Sequence, residues 1–227
     1  GSDPDGHALR YAITAGQDRG KFVINGATGA VTVSAQGAGQ LDFEGTNQYT
    51  LTITVDDQQQ PALSDTASLT INLTNVNEAP RVTARTVSIA EDAVAGTVVT
   101  DINDANTNAD EDVDGTALSY QFIGGNGDGF FAINDETGVV TVTNAGQGGL
   151  DFETQNEYVL RVAATDNNVS VVAEVTVQIT DVNEAPTLAN QTVDLAENVV
   201  EGTAVATMQG SDPDGHALRY AITAGQD

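Results

Sequence analysis

Apolar residues recur at every second position through much of this chain. Tyr49, Leu51, Ile53 and Val55 alternate with threonines, and Tyr158, Leu160, Val162 and Ala164 repeat the spacing. Leu69, Ile71 and Leu73 form a further run, matched by Val175, Val177 and Ile179. Side chains two residues apart share one face of an extended strand, so each run predicts a strand with one face in a core and the other in solvent. Phe22–Ile24 and Val31–Val33 flank a turn, as do Phe131–Ile133 and Val140–Val142, and both pairs predict short hairpins. Gly124–Gly129 (GGNGDG) has the composition of a calcium-binding β-roll repeat, but it occurs once and its Asp stands one position early; it reads as a hairpin turn. No long stretch keeps the spacing of an amphipathic helix. Short strands separated by frequent turn signals predict an all-β chain built as a β-sandwich.

The pattern is itself repeated. Residues 1–18, GSDPDGHALRYAITAGQD, recur letter for letter as residues 210–227. LDFE occurs at 41–44 and 150–153, and VNEAP at 76–80 and 182–186. Ala90-Glu91-Asp92 is matched by Ala196-Glu197-Asn198, and Asp3-Pro-Asp-Gly by Asp112-Val-Asp-Gly and Asp212-Pro-Asp-Gly. Small differences in spacing place a longer polar stretch of the middle copy within Asn103–Glu111 and a longer loop of the first copy near Gln58–Ser64. Both are turn-like sequences, where length varies most freely. The repeat predicts three portions: 1–79, a module lacking its first strand; 80–185, a complete module; and 186–227, the opening strands of a further module. Residues 187–227 followed by 19–80 would spell one module. The expected context is a longer repetitive array, either one continuous chain or a filament in which the last strands of one chain complete the first module of the next.

Charge narrows the function. Lys and Arg number 7 against 33 Asp and Glu, for a net charge of −26. Such a chain repels nucleic acid and anionic lipid, whose capture requires basic residues. With no Cys, disulfides are excluded and the redox compartment stays open. No run approaches the roughly 18 apolar residues of a membrane helix. Asn72-Leu-Thr, Asn168-Val-Ser and Asn190-Gln-Thr fit the glycosylation pattern, as chance allows in a Thr-rich chain. Nothing assembles a catalytic constellation: the two His occupy one repeat position, and the abundant carboxylates follow a different pattern.

That pattern resembles cadherin repeats. LDFE resembles the family's LDRE, NVNEAP and DVNEAP its DxNDNxP linker, and DPDG and DVDG its DxD motif; Glu91 matches the early-strand glutamate. Phe22–Gly29 and Phe131–Gly138 resemble the FxIDxxTG hairpin, and Asp57 and Asp166 close strands that resemble YxLxVxAxD. The motifs keep their order and cover nearly the whole chain, and the VNEAP and DPDG spellings are most similar to bacterial cadherin-like adhesin modules. The chain departs from the family pattern at Glu78 and Glu184, where cadherins carry Asp, at the Ala that follows each, and at Phe43 and Phe152 in place of Arg.

The resemblance implies tandem Greek-key β-sandwich modules arranged as a rod, with Ca²⁺ at the module junctions, two or three ions at each. The first junction would use Asp42, Glu44, Asn77, Glu78, Asp112, Asp114 and Asp166. The second would use Glu91, Asp151, Glu153, Asn183, Glu184, Asp212 and Asp214. Asp3, Asp5 and Asp57 are the matching positions of the first module. Physical chemistry agrees: Ca²⁺ takes about 6–8 oxygen ligands, and Asp42 with Glu44, like Asp112 with Asp114, are spaced to point the same way in extended chain. Two like charges about 4 Å apart repel by about 1–4 kcal/mol at dielectric constants of about 80 to 20, so such a cage splays unless a cation bridges it. Acidic residues in the longer polar stretch, Asp101, Asp104, Asp110 and Glu111, read as a solvated loop rather than a further cation site.

The reading is an extracellular or cell-surface structural and adhesive repeat protein, not an enzyme. Its expected partners are neighbouring copies of the same repeat and a surface or matrix ligand, with neither nucleic acid nor membrane insertion. The alternatives are a carbohydrate- or partner-binding module, disfavoured by the absence of Trp, and the repeat region of a larger secreted enzyme.

Overall fold

Alternating side chains become paired strands wherever two such runs lie side by side with their apolar faces turned the same way. The computed structural model describes residues 1–103 and 112–224, and the chain divides into two units, Gly1–Glu78 and Ala79–Asp227. The longer polar stretch expected within Asn103–Glu111 lies almost wholly outside the described residues.

The second unit contains a full two-layer sandwich. Strands β6 (Arg85–Ala90), β12 (Ser170–Thr180), β11 (Glu157–Thr165) and β8 (Ser119–Gly124) form one sheet in that order, and β7 (Val98–Asp101), β10 (Val139–Val142) and β9 (Phe131–Ile133) form the other. Every pairing is antiparallel except β6 on β12. Tyr158, Leu160, Val162 and Ala164 on β11 and Val175, Val177 and Ile179 on β12 are buried, as their period of two requires. Val140, Val142 and Phe131 meet them from the other sheet, and Ile102 and Leu150 close the core from flanking loops. After this sandwich, among the described residues, come two paired two-residue strands, β13 (Thr187–Leu188) and β14 (Gly210–Ser211).

In the first unit, β1 (Arg10–Gly16), β4 (Gln48–Asp56) and β5 (Ser64–Asn72) form an antiparallel sheet, and β2 (Phe22–Ile24) pairs with β3 (Val31–Val33). These five repeat β8, β11, β12, β9 and β10. The repetition extends to ring geometry: Phe22 meets Tyr49 edge-on at 5.3 Å, and Phe131 meets Tyr158 edge-on at 5.5 Å, a favourable arrangement of the ring quadrupoles. It extends also to a bulge. Gly16 and Gly125 both have positive φ, and a Cβ on Gly125 would lie 1.8 Å from the Val159 carbonyl oxygen. Each follows a slip in register, β1 on β4 and β8 on β11, where a side chain would hold the strands apart.

The turns follow their residue chemistry. Asn25 Oδ1 accepts from Ala27 N and Thr28 N, and Asn134 Oδ1 from Glu136 N and Thr137 N, closing the two predicted hairpins alike. Gly125–Gly129 turns the chain after β8, held by Asn126, whose side chain both donates to and accepts from the Phe131 backbone. The loop 57–63 of the first unit is longer than its counterpart 166–169, as the spacing predicted. Among the described residues, no helix is long and apolar enough to cross a membrane.

Candidate metal centre

The acidic residues of the second unit are carried to one end of its sandwich by strands whose own positions are set by the core. Glu91 directly follows β6, which is tied to β12 along its length. Glu91 is 4% exposed and is held at both oxygens: Oε2 accepts from Phe152 N at 2.7 Å and Oε1 from Val182 N at 2.6 Å. One carboxylate therefore fixes the LDFE segment (150–153) and the DVNEAP segment (181–186) against the end of β6.

Those two segments add their own carboxylates. Oxygens of Glu91, Asp151 and Glu153 lie within 4.8 Å of one another, as do oxygens of Glu153, Asp181 and Asp214. Asp214 stands in the turn Asp212–Gly215 and accepts from Glu184 N through Oδ2 at 2.9 Å, which ties the turn to the linker. Its Oδ1 is buried without a hydrogen-bond partner, and so is Oε2 of Glu184. Buried polar atoms are ordinarily satisfied, so two orphaned carboxylate oxygens in one cluster are costly in the absence of a cation.

The electrostatics are those of crowded negative charge. The Glu153 carboxyl is pushed above the usual carboxylate range by loss of surrounding water and by the charges of Glu91, Asp181 and Asp214. Asp181 is raised by loss of water and by contact with the Asp214 carboxyl, and Glu184 by loss of water and by Glu91, Glu153 and Asp214. The segments LDFE, DVNEAP and DPDG contain no Lys or Arg. Among the described residues, His216 pairs with them, with Nδ1 3.5 Å from Asp212 and 3.6 Å from Asp214 and its side chain 61% exposed.

The structure thus brings together Glu91, Asp151, Glu153, Glu184 and Asp214 of the second expected set, with Asp212 beside Asp214. Asn183 lies in the same linker and donates through Nδ2 to the Glu184 carbonyl. Sequence reasoning missed Asp181. Its signal was available, because it opens DVNEAP, but the first linker has Asn75 at that position, and the repeat comparison favoured what the two linkers share.

The remaining expected residues are divided between the units. In the first, Asp42 Oδ1 accepts from Glu44 N and Gly45 N, and Asn77 Nδ2 donates to the Glu78 carbonyl. Asp3 Oδ1 accepts from Asp5 N and His7 N, and ligand atoms of Asp3, His7 and Asp57 lie within 4.8 Å of one another. Asp57 is buried and accepts from Gln59 N and Leu63 N; these bonds, the first above all, hold its carboxyl below the usual range. In the second unit, Asp166 is buried and accepts from Asn168 N and Val169 N. Asp112 caps its own turn by accepting from Thr116 N, with Asp114 two residues on.

An all-oxygen donor set, mostly anionic, fits a hard divalent cation such as Ca²⁺ and fits no softer metal as well. Three comparisons bear on this site. A cadherin domain matches residues 2–74 and 85–180. Protocadherin Fat 2 of Rattus norvegicus is 34% identical over 220 residues, covering 93% of this chain and 5% of that protein. Protocadherin Fat 1 of Homo sapiens is 33% identical over 236 residues, covering 96% and 5%. The chain therefore spans about one-twentieth of the length of these relatives. Among solved structures, mouse cadherin-23 EC22-24 superposes with a TM-score of 0.68 at 22% identity, covering 93% of this chain and 68% of that one. Human CDH23 EC21-23 gives 0.67 at 21% identity, with 91% and 74% covered. The match falls on both repeats, the sandwich has the same fold, and Glu91 and the LDFE segment lie within the matched residues with the DVNEAP linker directly after them: the chain belongs to the cadherin family.

Proposed function

We propose that this chain is a calcium-organised repeat segment serving extracellular adhesion or spacing. The observation that carries the reading is the convergence of Glu91, Asp151, Glu153, Asp181 and Asp214, with buried, unpartnered oxygens on Glu184 and Asp214. Ca²⁺, when bound, supplies the positive charge that this cluster lacks. Glu91 positions the LDFE and linker segments. Asp151, Glu153, Asp181 and Glu184 present oxygens from the completed sandwich, and Asp212 and Asp214 present them from the segment that follows. Neutralising their mutual repulsion would hold that segment in one orientation.

The same chemistry is proposed for the matching residues of the other repeats, Asp42, Glu44, Asn77, Glu78, Asp112, Asp114 and Asp166, and for Asp3, Asp5 and Asp57, with two or three ions at each junction. Asn183 would contribute its side-chain oxygen. The modules would be those the repeat defines, 1–79, 80–185 and 186–227, in a rod outside the cell or on its surface. Its partners would be neighbouring copies of the repeat and a surface or matrix ligand, with no catalysis, no nucleic acid and no insertion of this segment into a membrane. The VNEAP and DPDG spellings support a bacterial cadherin-like adhesin. Small-angle scattering with and without chelator tests the reading: Ca²⁺ is expected to lengthen the maximum dimension and narrow its distribution. An identical profile in both conditions would sink it.

A further inference from the structure

One turn occurs three times in this chain, with two different side chains at its last position. Asp3-Pro-Asp-Gly-His7, Asp112-Val-Asp-Gly-Thr116 and Asp212-Pro-Asp-Gly-His216 align without gaps. In each, the glycine amide donates to the carbonyl of the first Asp, at 3.2, 3.0 and 3.1 Å, and the glycine has a φ of 81°, 70° and 72°. The next amide donates to Oδ1 of that Asp, from His7 at 3.1 Å, from Thr116 at 3.2 Å and from His216 at 3.1 Å. The backbone is thus one and the same turn. Two copies set an imidazole on it where the middle copy sets a hydroxyl.

Both imidazoles face carboxylates. His216 Nδ1 lies 3.5 Å from Asp212 Oδ1 and 3.6 Å from Asp214 Oδ2, and ligand atoms of the three residues lie within 4.8 Å of one another. His7 Nδ1 lies 3.4 Å from Asp3 Oδ1, and Asp3, His7 and Asp57 form a second group of the same span. Both histidine side chains are open to solvent, 40% exposed at His7 and 61% at His216. The carboxylate beside His216 is not: the Asp214 side chain is 2% exposed, and its Oδ1 has no hydrogen-bond partner. An ion pair between a charged imidazole and Asp214 Oδ2 accounts for the 3.6 Å contact but leaves that buried Oδ1 unsatisfied, which is costly. A metal ion held by the same carboxylate would satisfy it.

We propose that the two histidine-bearing turns each hold a transition-metal ion of the Zn²⁺ class, bound through His216 with Asp212 and Asp214, and through His7 with Asp3 and Asp57. Oxygen ligands alone suit Ca²⁺, whereas an imidazole nitrogen among carboxylates suits Zn²⁺, Ni²⁺ and Cu²⁺. The spacing agrees. Bonds of about 2.0–2.1 Å at the tetrahedral angle put neighbouring ligand atoms about 3.4 Å apart, and the nitrogen-to-oxygen distances here are 3.4, 3.5 and 3.6 Å. Three protein ligands leave the fourth position to water. Asp214 belongs to two groups, an all-oxygen one with Glu153 and Asp181 and a mixed one with Asp212 and His216. The middle turn, with Thr116, lacks the nitrogen and would keep the preference for a hard ion. This inference extends the metal reading above to a second class of ion and rests on it for the role of Asp212 and Asp214, but the nitrogen ligand does not depend on calcium.

Calorimetric titration of Zn²⁺ into the metal-free 227-residue chain, with Ca²⁺ titrated separately, tests the proposal. The control is the double substitution His7→Thr, His216→Thr, which gives both turns the residue that the middle copy already accommodates; circular dichroism checks that it folds. Loss of an outer partner of a ligand costs about 10–100-fold in metal affinity, so loss of the ligand itself is expected to weaken Zn²⁺ binding by about tenfold or more. Ca²⁺ binding is expected to change far less. Co²⁺ gives a second readout: the unaltered chain is expected to show the visible absorption of a tetrahedral nitrogen–oxygen site, and the variant to lose it. Equal Zn²⁺ affinity in the two proteins, or a Co²⁺ spectrum that the substitutions leave unchanged, overturns the proposal. A chain that binds Zn²⁺ through its histidines but binds no Ca²⁺ would uphold this inference and sink the calcium reading; one that binds Ca²⁺ alone would do the reverse.

Discussion

The two units share one sequence pattern and reach different degrees of closure. Phe22, Tyr49 and Leu51 are the buried centre of the first, whereas fifteen residues, from Ile89 to Ile179, form the continuous core of the second. The difference does not lie in the strands they share, since Phe22–Tyr49 and Phe131–Tyr158 pack alike to within a few tenths of an ångström. Among the described residues, it lies in β6 and β7, which have no counterpart paired in the first unit. Alternation makes strands, but burial needs a facing layer. A side chain turned towards a core contributes its full hydrophobic stabilisation, about 1.5–3 kcal/mol for Val or Leu, only when that layer is in place.

The largest expected effect breaks the comparison at its centre. Leu160→Ala in the closed core should destabilise the second unit by about 2–5 kcal/mol. Leu69→Ala, at a half-buried site whose counterpart Val175 is fully buried, should cost less than half as much. Urea unfolding followed by hydrogen exchange on β4 and β11 measures both.

A second effect concerns calcium. Glu91→Gln preserves the size of the side chain that bridges Phe152 N and Val182 N but removes its charge. It should weaken Ca²⁺ binding at the complete module at least tenfold, about 1.4 kcal/mol, as read by calorimetric titration. Asp57→Asn in the first unit should leave that site's affinity unchanged.

The pH response should have opposite signs in the two regions. Glu153, Asp181 and Glu184 have raised pKa values in the folded state, so the folded protein holds protons that the unfolded chain releases. Without calcium, the second unit should be stabilised at low pH and lose stability as pH rises above the ordinary values of 3.8 for Asp and 4.5 for Glu. Asp57 has a depressed pKa, so its contribution is present above 3.8 and lost as pH falls through the folded value. Thermal melts across acid pH in chelator should show the two trends, and calcium should remove the first.

The smallest effect sits where the repeats differ by one residue. Lys21 Nζ donates to the Tyr49 hydroxyl at 3.2 Å and lies 5.2 Å from that ring's centre, which keeps its pKa high; the second unit has Phe130 there, edge-on to Tyr158. Lys21→Phe should change stability by no more than about 1 kcal/mol, measured by the same urea unfolding.

Much of this was legible from residue order. The period of two placed β4 and β11 because a strand's faces alternate with no free parameter, and paired apolar runs on either side of a turn placed both hairpins. The convergence of Glu91, Asp151, Glu153 and Asp214 was legible because LDFE, VNEAP and DPDG recur in order. Asp181 was not, because repetition highlights what copies share, and Asn75 stands in its place. The bridging role of Glu91 was not legible either: it depends on two backbone amides, Phe152 and Val182, brought together by β6 pairing with β12. No local pattern encodes that parallel pairing.

The account stands most directly on whether the carboxylate cluster binds calcium. Calorimetric titration of Ca²⁺ into the metal-free chain, beside a Glu91→Gln, Asp214→Asn variant of unchanged circular dichroism, decides it. The account predicts saturable binding of at least one set of ions that the variant loses. Equal binding by both proteins, or none by either, would contradict it.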